Sequence, residues 1–143
     1  MKVLFVCRAN IGRSQIAEAL FRQMMPNIDV SSAGTKVVSK DGISRHGTLL
    51  KETPGADKVL TVLEEIGIDH SKSLRTQLEE NMLAGVDKIV VMAEPENIPA
   101  YLSSHPHYVY WQVNDPKGTD LEQHRKTRDE IQGLLEKHKA LFE

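Results

Sequence analysis

Four short, largely apolar runs are spaced along the chain. They predict strands at Lys2–Val6, Ile28–Ser32, Lys88–Met92 and Tyr108–Val113. Runs of this length without a regular polar alternation are typical of strands that are buried on both faces. The pattern therefore indicates a sheet in the interior of the molecule.

The segments between these runs have apolar residues three and four positions apart, which is the spacing of helices. The predicted helices are Ser14 to a stop at Pro26, Val59 to a stop at Gly67, Arg75–Ala84, Glu96–Leu102, and a last helix that opens with a capping box at Thr119 and Glu122. The apolar stripe of the last helix includes Leu121, Ile131, Leu134 and Leu135. The segment Lys36–Ala56 contains Gly and Pro without a clear period and predicts mostly loop.

Strands that alternate with helices indicate an α/β fold, in which helices cover both faces of a parallel sheet. Such sheets bind their ligands at the carboxyl ends of the strands. The first predicted strand ends at Val6, so Cys7–Gly12 lies where this fold would bind a ligand. Asp115-Pro116 follows the fourth predicted strand and is expected at the same edge.

Composition narrows the class of protein. The chain has 143 residues, 40% hydrophobic and 27% charged, and is expected to form a single domain over residues 1–143. A net charge of −2 argues against a nucleic-acid-binding protein, and no apolar run approaches the length of a membrane span. The N-terminal apolar run leads straight into polar sequence, unlike a signal peptide, so we expect a cytoplasmic protein.

Cysteine and histidine usage sets further limits. The single cysteine, Cys7, excludes an intramolecular disulfide and a cysteine-based zinc site. His105 and His107 form the tightest histidine pair, but a third spaced ligand is lacking, so we expect loop histidines rather than metal ligands. No metal or other cofactor is therefore expected.

The segment from Cys7 to Ser14 carries the strongest chemical signal. The residues between strand and helix are Arg8, Ala9, Asn10, Ile11 and Gly12. Their backbone N–H groups, with the positive end of the following helix, can surround a tetrahedral dianion. Arg13 offers a planar fork to two oxygens of such an anion.

The same surroundings favour the thiolate form of Cys7, which would then be nucleophilic at neutral pH. Ser14 could donate a hydrogen bond to the sulfur, and the arrangement suits covalent catalysis through a phosphocysteine. Asp115 could protonate the leaving oxygen and later activate water. The competing interpretation is a buried structural cysteine beside an ordinary Asp-Pro turn.

These residues resemble the low-molecular-weight protein tyrosine phosphatases and their arsenate-reductase relatives. The family loop reads Cys-x-Gly-Asn-x-Cys-Arg-Ser, and this chain has Cys7, Asn10, Arg13 and Ser14 at the matching positions. Similar segments are Ser32-Ala33-Gly34-Thr35, Gly67-Ile68-Asp69 with Arg75, Val91-Met92, and Asp115-Pro116 in the position of the general-acid loop. The resemblance covers nearly the whole chain and implies a flavodoxin-like three-layer sandwich with strand order 2-1-3-4.

Four positions depart from the family pattern. Ala9 replaces a Gly, Gly12 replaces a second Cys, Lys72 stands where many relatives carry His, and Ala93 where many carry Asp. Without another cysteine, arsenate reduction through a disulfide within one chain is impossible. Reduction would need an external thiol.

Together these observations favour a metal-independent phosphomonoesterase that acts on a phosphorylated protein or a small aryl phosphate, with inorganic phosphate or a similar oxyanion as product or inhibitor. Two alternatives are an arsenate reductase that uses an external thiol and a non-catalytic phosphate-binding or phosphocysteine-carrying module. Neither Thr35–Pro54 nor Lys117-Gly118 supplies the aromatic wall expected of a phosphotyrosine pocket.

Two arginines allow two interpretations each, and one basic run has a single simple interpretation. Arg8 either favours a more anionic substrate or points to solvent. Arg75 either holds neighbouring loops by hydrogen bonds or is a surface charge. The run His124–Arg128 predicts a solvated face of the last helix.

Overall fold

A four-stranded parallel sheet forms the centre of the molecule in a computed structural model that describes residues 1–143. Its strands are β1 (Lys2–Cys7), β2 (Asp29–Gly34), β3 (Lys88–Val91) and β4 (Tyr108–Tyr110). They lie in the order β2-β1-β3-β4, and every neighbouring pair is parallel. This order confirms the flavodoxin-like topology implied by the family resemblance.

Four helices accompany the sheet: α1 (Arg13–Met24), α2 (Ala56–Glu64), α3 (Ala100–Ser103) and α4 (Leu121–Lys137). Single 3₁₀ turns occur at Leu50–Glu52, Glu80–Leu83, Pro95–Asn97 and Lys139–Phe142. None of the helices has the combination of length and apolar character that crossing a bilayer requires.

Both faces of the sheet are covered, because successive residues of β1 point to opposite sides. Val3 and Phe5 pack into the larger cluster, which contains residues of α1, α2 and α4. Leu4 and Val6 pack on the other face against the turn at Glu80–Leu83 and against α3. Residues 3–7 of β1 are therefore all buried, as the unbroken apolar run predicts.

Two of the predicted helices differ in the structure: one does not form, and the other is interrupted. The segment Arg75–Ala84 holds only the 3₁₀ turn, since its first half hydrogen-bonds to neighbouring loops: Arg75 N–H donates to Thr48 O and Leu78 N–H to Gly34 O, both at 2.8 Å. The predicted helix Glu96–Leu102 is split into a 3₁₀ turn and α3. Pro99 lies between the two, and its missing N–H cannot continue a helix.

The start of α4 differs from the predicted capping box. Asp120 is the N-cap, and its carboxylate accepts a hydrogen bond of 2.9 Å from Gln123 N–H. The Thr119 hydroxyl donates instead to Pro116 O, within the preceding turn. Asp is a more favourable N-cap than Thr, and the helix begins one residue later than predicted.

The buried face of α4 is broader than its apolar stripe. Ile131 and Leu135 are buried as predicted, whereas Leu121 and Leu134 are half-buried. His124 and Thr127 were expected on a solvated face but are only 3% and 2% exposed. Their spacing with Ile131 continues the same i, i+3, i+4 row towards the carboxyl ends of the strands.

Candidate active site

Cys7 ends β1 at the carboxyl edge of the sheet and is 2% exposed. Its Sγ lies 3.0 Å from the hydroxyl oxygen of Ser14, which is fully buried in the first turn of α1. Strand and helix are joined by a loop of five residues, 8–12, as the sequence predicts. Cys7 and its hydrogen-bond partner thus lie on the two regular elements that flank this loop.

The direction of the Ser14–Cys7 hydrogen bond follows from Asn10. Thr76 N–H donates to Asn10 Oδ1 at 2.8 Å, so the amide nitrogen of Asn10 must face the other way. That nitrogen donates to Ser14 Oγ at 2.8 Å and to Ser32 Oγ at 3.0 Å. Because Ser14 already accepts from Asn10, its O–H is left to donate to Cys7 Sγ.

Asn10 is the only non-glycine residue with a positive φ, at 54°. An Asn tolerates this left-handed conformation better than most residues, since its short polar side chain can bond locally. The conformation turns the loop so that its side chain points inward to the serines.

A buried hydrogen-bonded relay supports the loop from behind. Gln15 Nε2 donates to Asn10 O and Leu74 O, both at 3.1 Å, so Gln15 Oε1 is an acceptor. This oxygen accepts hydrogen bonds from His70 Nε2 at 2.7 Å and from Ser73 Oγ at 2.8 Å. The proton of the His70 ring is therefore on Nε2. Burial lowers the pKa of His70 and favours its neutral form.

Arg75 holds the middle of the loop and is 3% exposed. Its Nη2 and Nε donate to Ala9 O at 3.0 and 3.3 Å. Burial, followed by the nearby charge of Arg45, lowers its pKa. Of the two interpretations of Arg75, the structure supports the loop-holding one.

Gly34 pairs with Cys7 across β1 and β2 and approaches the loop closely. A Cβ at this position would lie 2.7 Å from Arg8 O and 2.8 Å from Asn10 N. Only glycine therefore fits here without a shift of backbone. This contact is why a glycine must close β2.

The guanidinium of Arg13 is 2% exposed and held by several acceptors. Its Nη1 donates to Met92 O at 2.6 Å and Val113 O at 3.0 Å. Glu94 accepts from both ends of the fork, at 2.7 and 3.1 Å. Burial alone would lower the pKa of Arg13, but the Glu94 hydrogen bond and the charges of Cys7 and Asp115 raise it.

Asp115 lies in the loop after β4, with its side chain 42% exposed. Its Oδ2 is 3.7 Å from Arg13 Nη2, and its Oδ1 accepts from Lys117 N–H at 3.0 Å. The following Pro116 packs against the Cys7 loop, 3.4 Å from where a Cβ of Gly12 would stand. The Asp-Pro turn is therefore placed beside Arg13 and the Cys7 loop.

A cavity of about 150 Å³ brings the predicted residues together. Its lining includes Cys7, Ala9, Ile11, Gly12, Arg13 and Asp115. No Phe, Tyr or Trp lines it, in agreement with the aromatic-poor rim expected from the sequence. Arg8 faces an adjoining groove, while Asn10 and Ser14 lie behind the loop.

Several residues of the site were not found by sequence reasoning. Glu94 is the third residue after the end of β3. The rule that ligands bind at the ends of strands could have identified it as a candidate. Gln15 and His70 carry no such signal, because they are distant in sequence and act through a hydrogen bond between side chains. Lys72 is exposed to solvent. The histidine that supports the loop is instead His70, two residues earlier, which donates to Gln15.

The fold and this site define a class: an α/β protein with a buried cysteine, an arginine and an exposed carboxyl at the carboxyl edge of a parallel sheet. Comparison with known proteins places it further. A model of the family described as low molecular weight phosphotyrosine protein phosphatase matches residues 2–142. The chain belongs to this family, which is a family of enzymes.

Individual relatives carry two kinds of name. An arsenate reductase from Brevibacillus brevis is 28% identical over 137 residues, which cover 94% of this chain and 91% of that protein. A low-molecular-weight protein tyrosine phosphatase from T. tengcongensis is 28% identical, with a TM-score of 0.76 and 96% of each chain covered. A structure of an arsenate reductase in the phosphate-binding state is also 28% identical, with a TM-score of 0.74 and 95% and 94% covered.

Proposed function

We propose that this chain is a phosphomonoesterase that forms a phosphocysteine on Cys7. The observation that carries the proposal is the cavity shared by the only thiol of the chain, the guanidinium of Arg13 and the carboxyl of Asp115. Each of the three groups suits one requirement of phosphoryl transfer: a nucleophile, a binder of equatorial oxygens and a proton donor.

In the first step, the Cys7 thiolate attacks phosphorus. The S–P bond forms as the P–O ester bond breaks, and the electron pair leaves with the ester oxygen. Asp115 in its protonated form gives that oxygen its proton, while Arg13 and the N–H groups of residues 8–14 bind the remaining phosphoryl oxygens. The Ser14 hydroxyl, 3.0 Å from Sγ, stabilises the thiolate before attack.

In the second step, water attacks the phosphorus of the phosphocysteine. The ionised Asp115 accepts a proton from this water, the new P–O bond forms, and the S–P bond breaks with its electron pair returning to Cys7. Inorganic phosphate is released, and Asp115 is protonated again for the next cycle. The 42% exposure of Asp115 gives water access to this carboxyl.

The number of thiols favours hydrolysis over arsenate reduction. Hydrolysis needs one thiol, whereas reducing arsenate to arsenite takes two electrons, which two thiols supply as they become a disulfide. This chain has one cysteine, so a second thiol would have to come from another molecule. Arsenate reduction with an external thiol is the second candidate, and it is supported by the names of the curated relatives.

The proposed substrate is an aryl phosphate, phosphotyrosine in a protein or a small aryl ester. A carrier that only holds the phosphoryl group would not need a leaving-group acid such as Asp115, which speaks for turnover. Cys7 must stay reduced to act, so the proposal includes the cytoplasmic location expected from the sequence.

The test is release of phosphate from an activated aryl phosphate by the protein and by its Cys7→Ser variant, between mildly acidic and neutral pH. Wild type is expected to turn over and Cys7→Ser to be inactive. Asp115→Asn should lower kcat by about 10²–10⁴-fold for esters with poor leaving groups and far less for activated ones. An active Cys7→Ser protein, or arsenite production with added thiol in the absence of ester hydrolysis, would overturn the proposal.

A further inference from the structure

A second, larger concavity adjoins the cavity that contains Cys7. This groove has a volume of about 780 Å³ and lies between the Cys7 loop and the long loop that connects β2 to α2. Ala9, Ile11, Pro54 and Lys117 line both concavities, so the groove and the cavity lie side by side. Whatever part of a substrate extends beyond the phosphoryl group in this direction enters the groove.

The groove is strongly basic in a chain that is weakly acidic overall. Its cationic lining residues are Arg8, Lys36, Lys40, Arg45, Arg75 and Lys117. Glu52 is the only acidic residue that lines it. The chain has 18 Lys and Arg against 20 Asp and Glu, so one third of all its cations face this single groove.

None of these six side chains forms an ion pair with a carboxylate of the protein. The ion pairs of the structure involve Arg13, Arg22, Arg125 and Arg128. Arg75 is occupied by Ala9 O, and its lowered pKa reflects burial and then the charge of Arg45. Like charges around one groove repel one another, as the effect of Arg45 on Arg75 shows, and an anionic ligand would relieve that repulsion.

We infer that the groove is a specificity site for acidic phosphopeptides, in which carboxylate or phosphoryl groups near the target phosphoryl group pair with Lys36, Lys40 and Arg45. The inference rests on the proposed phosphatase activity. Charge complementarity selects an anionic segment, and a groove of this size accommodates a ligand much larger than one phosphoryl group. The absence of Phe, Tyr and Trp from the lining points the same way, since the groove offers charge rather than a stacking surface.

Lys36, Lys40 and Arg45 are suited to a test because they lie outside the catalytic cavity. The experiment compares kcat/KM for two phosphotyrosine peptides of equal length, one with Asp and Glu around the target and one with Asn and Gln. Wild type is expected to prefer the acidic peptide by about tenfold, since three exposed ion pairs each contribute up to about 1 kcal/mol. The preference should shrink at high ionic strength.

The triple variant Lys36→Gln, Lys40→Gln, Arg45→Gln should lose this preference and keep its activity on an activated aryl phosphate. The matched control is Lys126→Gln, Lys137→Gln, Lys139→Gln, which removes three exposed cations elsewhere and should keep the preference. Equal kcat/KM for both peptides in wild type would overturn the inference, as would a preference that survives in the triple variant. Failure of wild type to hydrolyse the activated aryl phosphate would instead refute the proposed function.

Discussion

The Glu94 carboxylate accepts hydrogen bonds from Nη1 and Nη2 of Arg13, and the shorter one, between Nη1 and Oε2, is 2.7 Å long. Hydrogen bonding from Arg13 lowers the pKa of Glu94, so this carboxylate stays ionised at neutral pH. The pairing orients the arginine but also puts a negative charge next to the group proposed to bind a dianion. Residue 93 is Ala, so the carboxylate beside Arg13 comes from position 94.

Glu94→Gln is expected to tighten phosphate binding. The amide keeps an acceptor for Arg13, while Met92 O and Val113 O still position Nη1, and the repulsion between carboxylate and phosphate is removed. The inhibition constant of inorganic phosphate should fall by about fivefold, measured as competition against an aryl phosphate. Glu96→Gln, an exposed substitution nearby, is the control and should change nothing. Weaker phosphate binding in Glu94→Gln would contradict this view of the pair.

Ser14→Ala is expected to make Cys7 less reactive. The substitution removes the O–H that donates to Sγ, and a hydrogen bond to a charged group contributes about 1.5–3 kcal/mol. Alkylation of Cys7 by iodoacetamide at neutral pH should slow by about tenfold. Ser32→Ala is the matched control, because it removes the other serine that accepts from Asn10 and leaves the Ser14–Cys7 contact. Equal slowing in both variants would mean that loop order, not the hydrogen bond, sets the reactivity.

His70 makes the stability of the protein pH-dependent. Burial lowers its pKa in the folded state, so the unfolded chain takes up a proton more readily below about pH 6.5. Stability should therefore decrease as the pH falls from 7 through 6 and level off once His70 is protonated in both states. The neighbouring Asp69 accepts hydrogen bonds from Ser71, which lower its pKa. The stability that this carboxylate contributes is lost only below about pH 4, outside the range in which His70 titrates.

His70→Gln separates titration from hydrogen bonding. The Gln amide can donate to Gln15 Oε1 as His70 Nε2 does, but it does not bind a proton in this range. Urea unfolding at pH 5, 6 and 7 should show a smaller loss of stability at low pH in the variant than in wild type. The same pH dependence in both proteins would show that another group is responsible.

Two glycines should respond to alanine in opposite directions. Gly34→Ala places a Cβ 2.7 Å from Arg8 O and 2.8 Å from Asn10 N, so we expect a loss of about 3 kcal/mol and reduced activity, because the loop must move. Gly133→Ala meets no atom within 4 Å in the exposed middle of α4 and should stabilise the protein by about 1 kcal/mol. Chemical denaturation measures both changes, and a neutral Gly34→Ala would refute the close approach.

By itself, the sequence determined the parallel α/β class, three of the helices and the segment at which chemistry was expected. The reason is that buried strands and amphipathic helices leave a local pattern, and strand ends in such a sheet share one edge. The strand ends, together with the family motif, predict Cys7, Arg13 and Asp115 as site residues, and the structure brings these three into one cavity. Their chemical roles stay predictions until the variants are measured.

Only the tertiary structure decided how the site is supported and charged. The segment Arg75–Ala84 has helical spacing, yet N–H groups in its first half donate to carbonyl groups that are distant in sequence. A local pattern of apolar residues cannot show such hydrogen bonds. The partnership of Glu94 with Arg13 and the relay from His70 through Gln15 join residues more than 50 positions apart. The basic groove likewise exists because loops from different parts of the chain fold against one edge of the sheet, where charges scattered along the sequence meet.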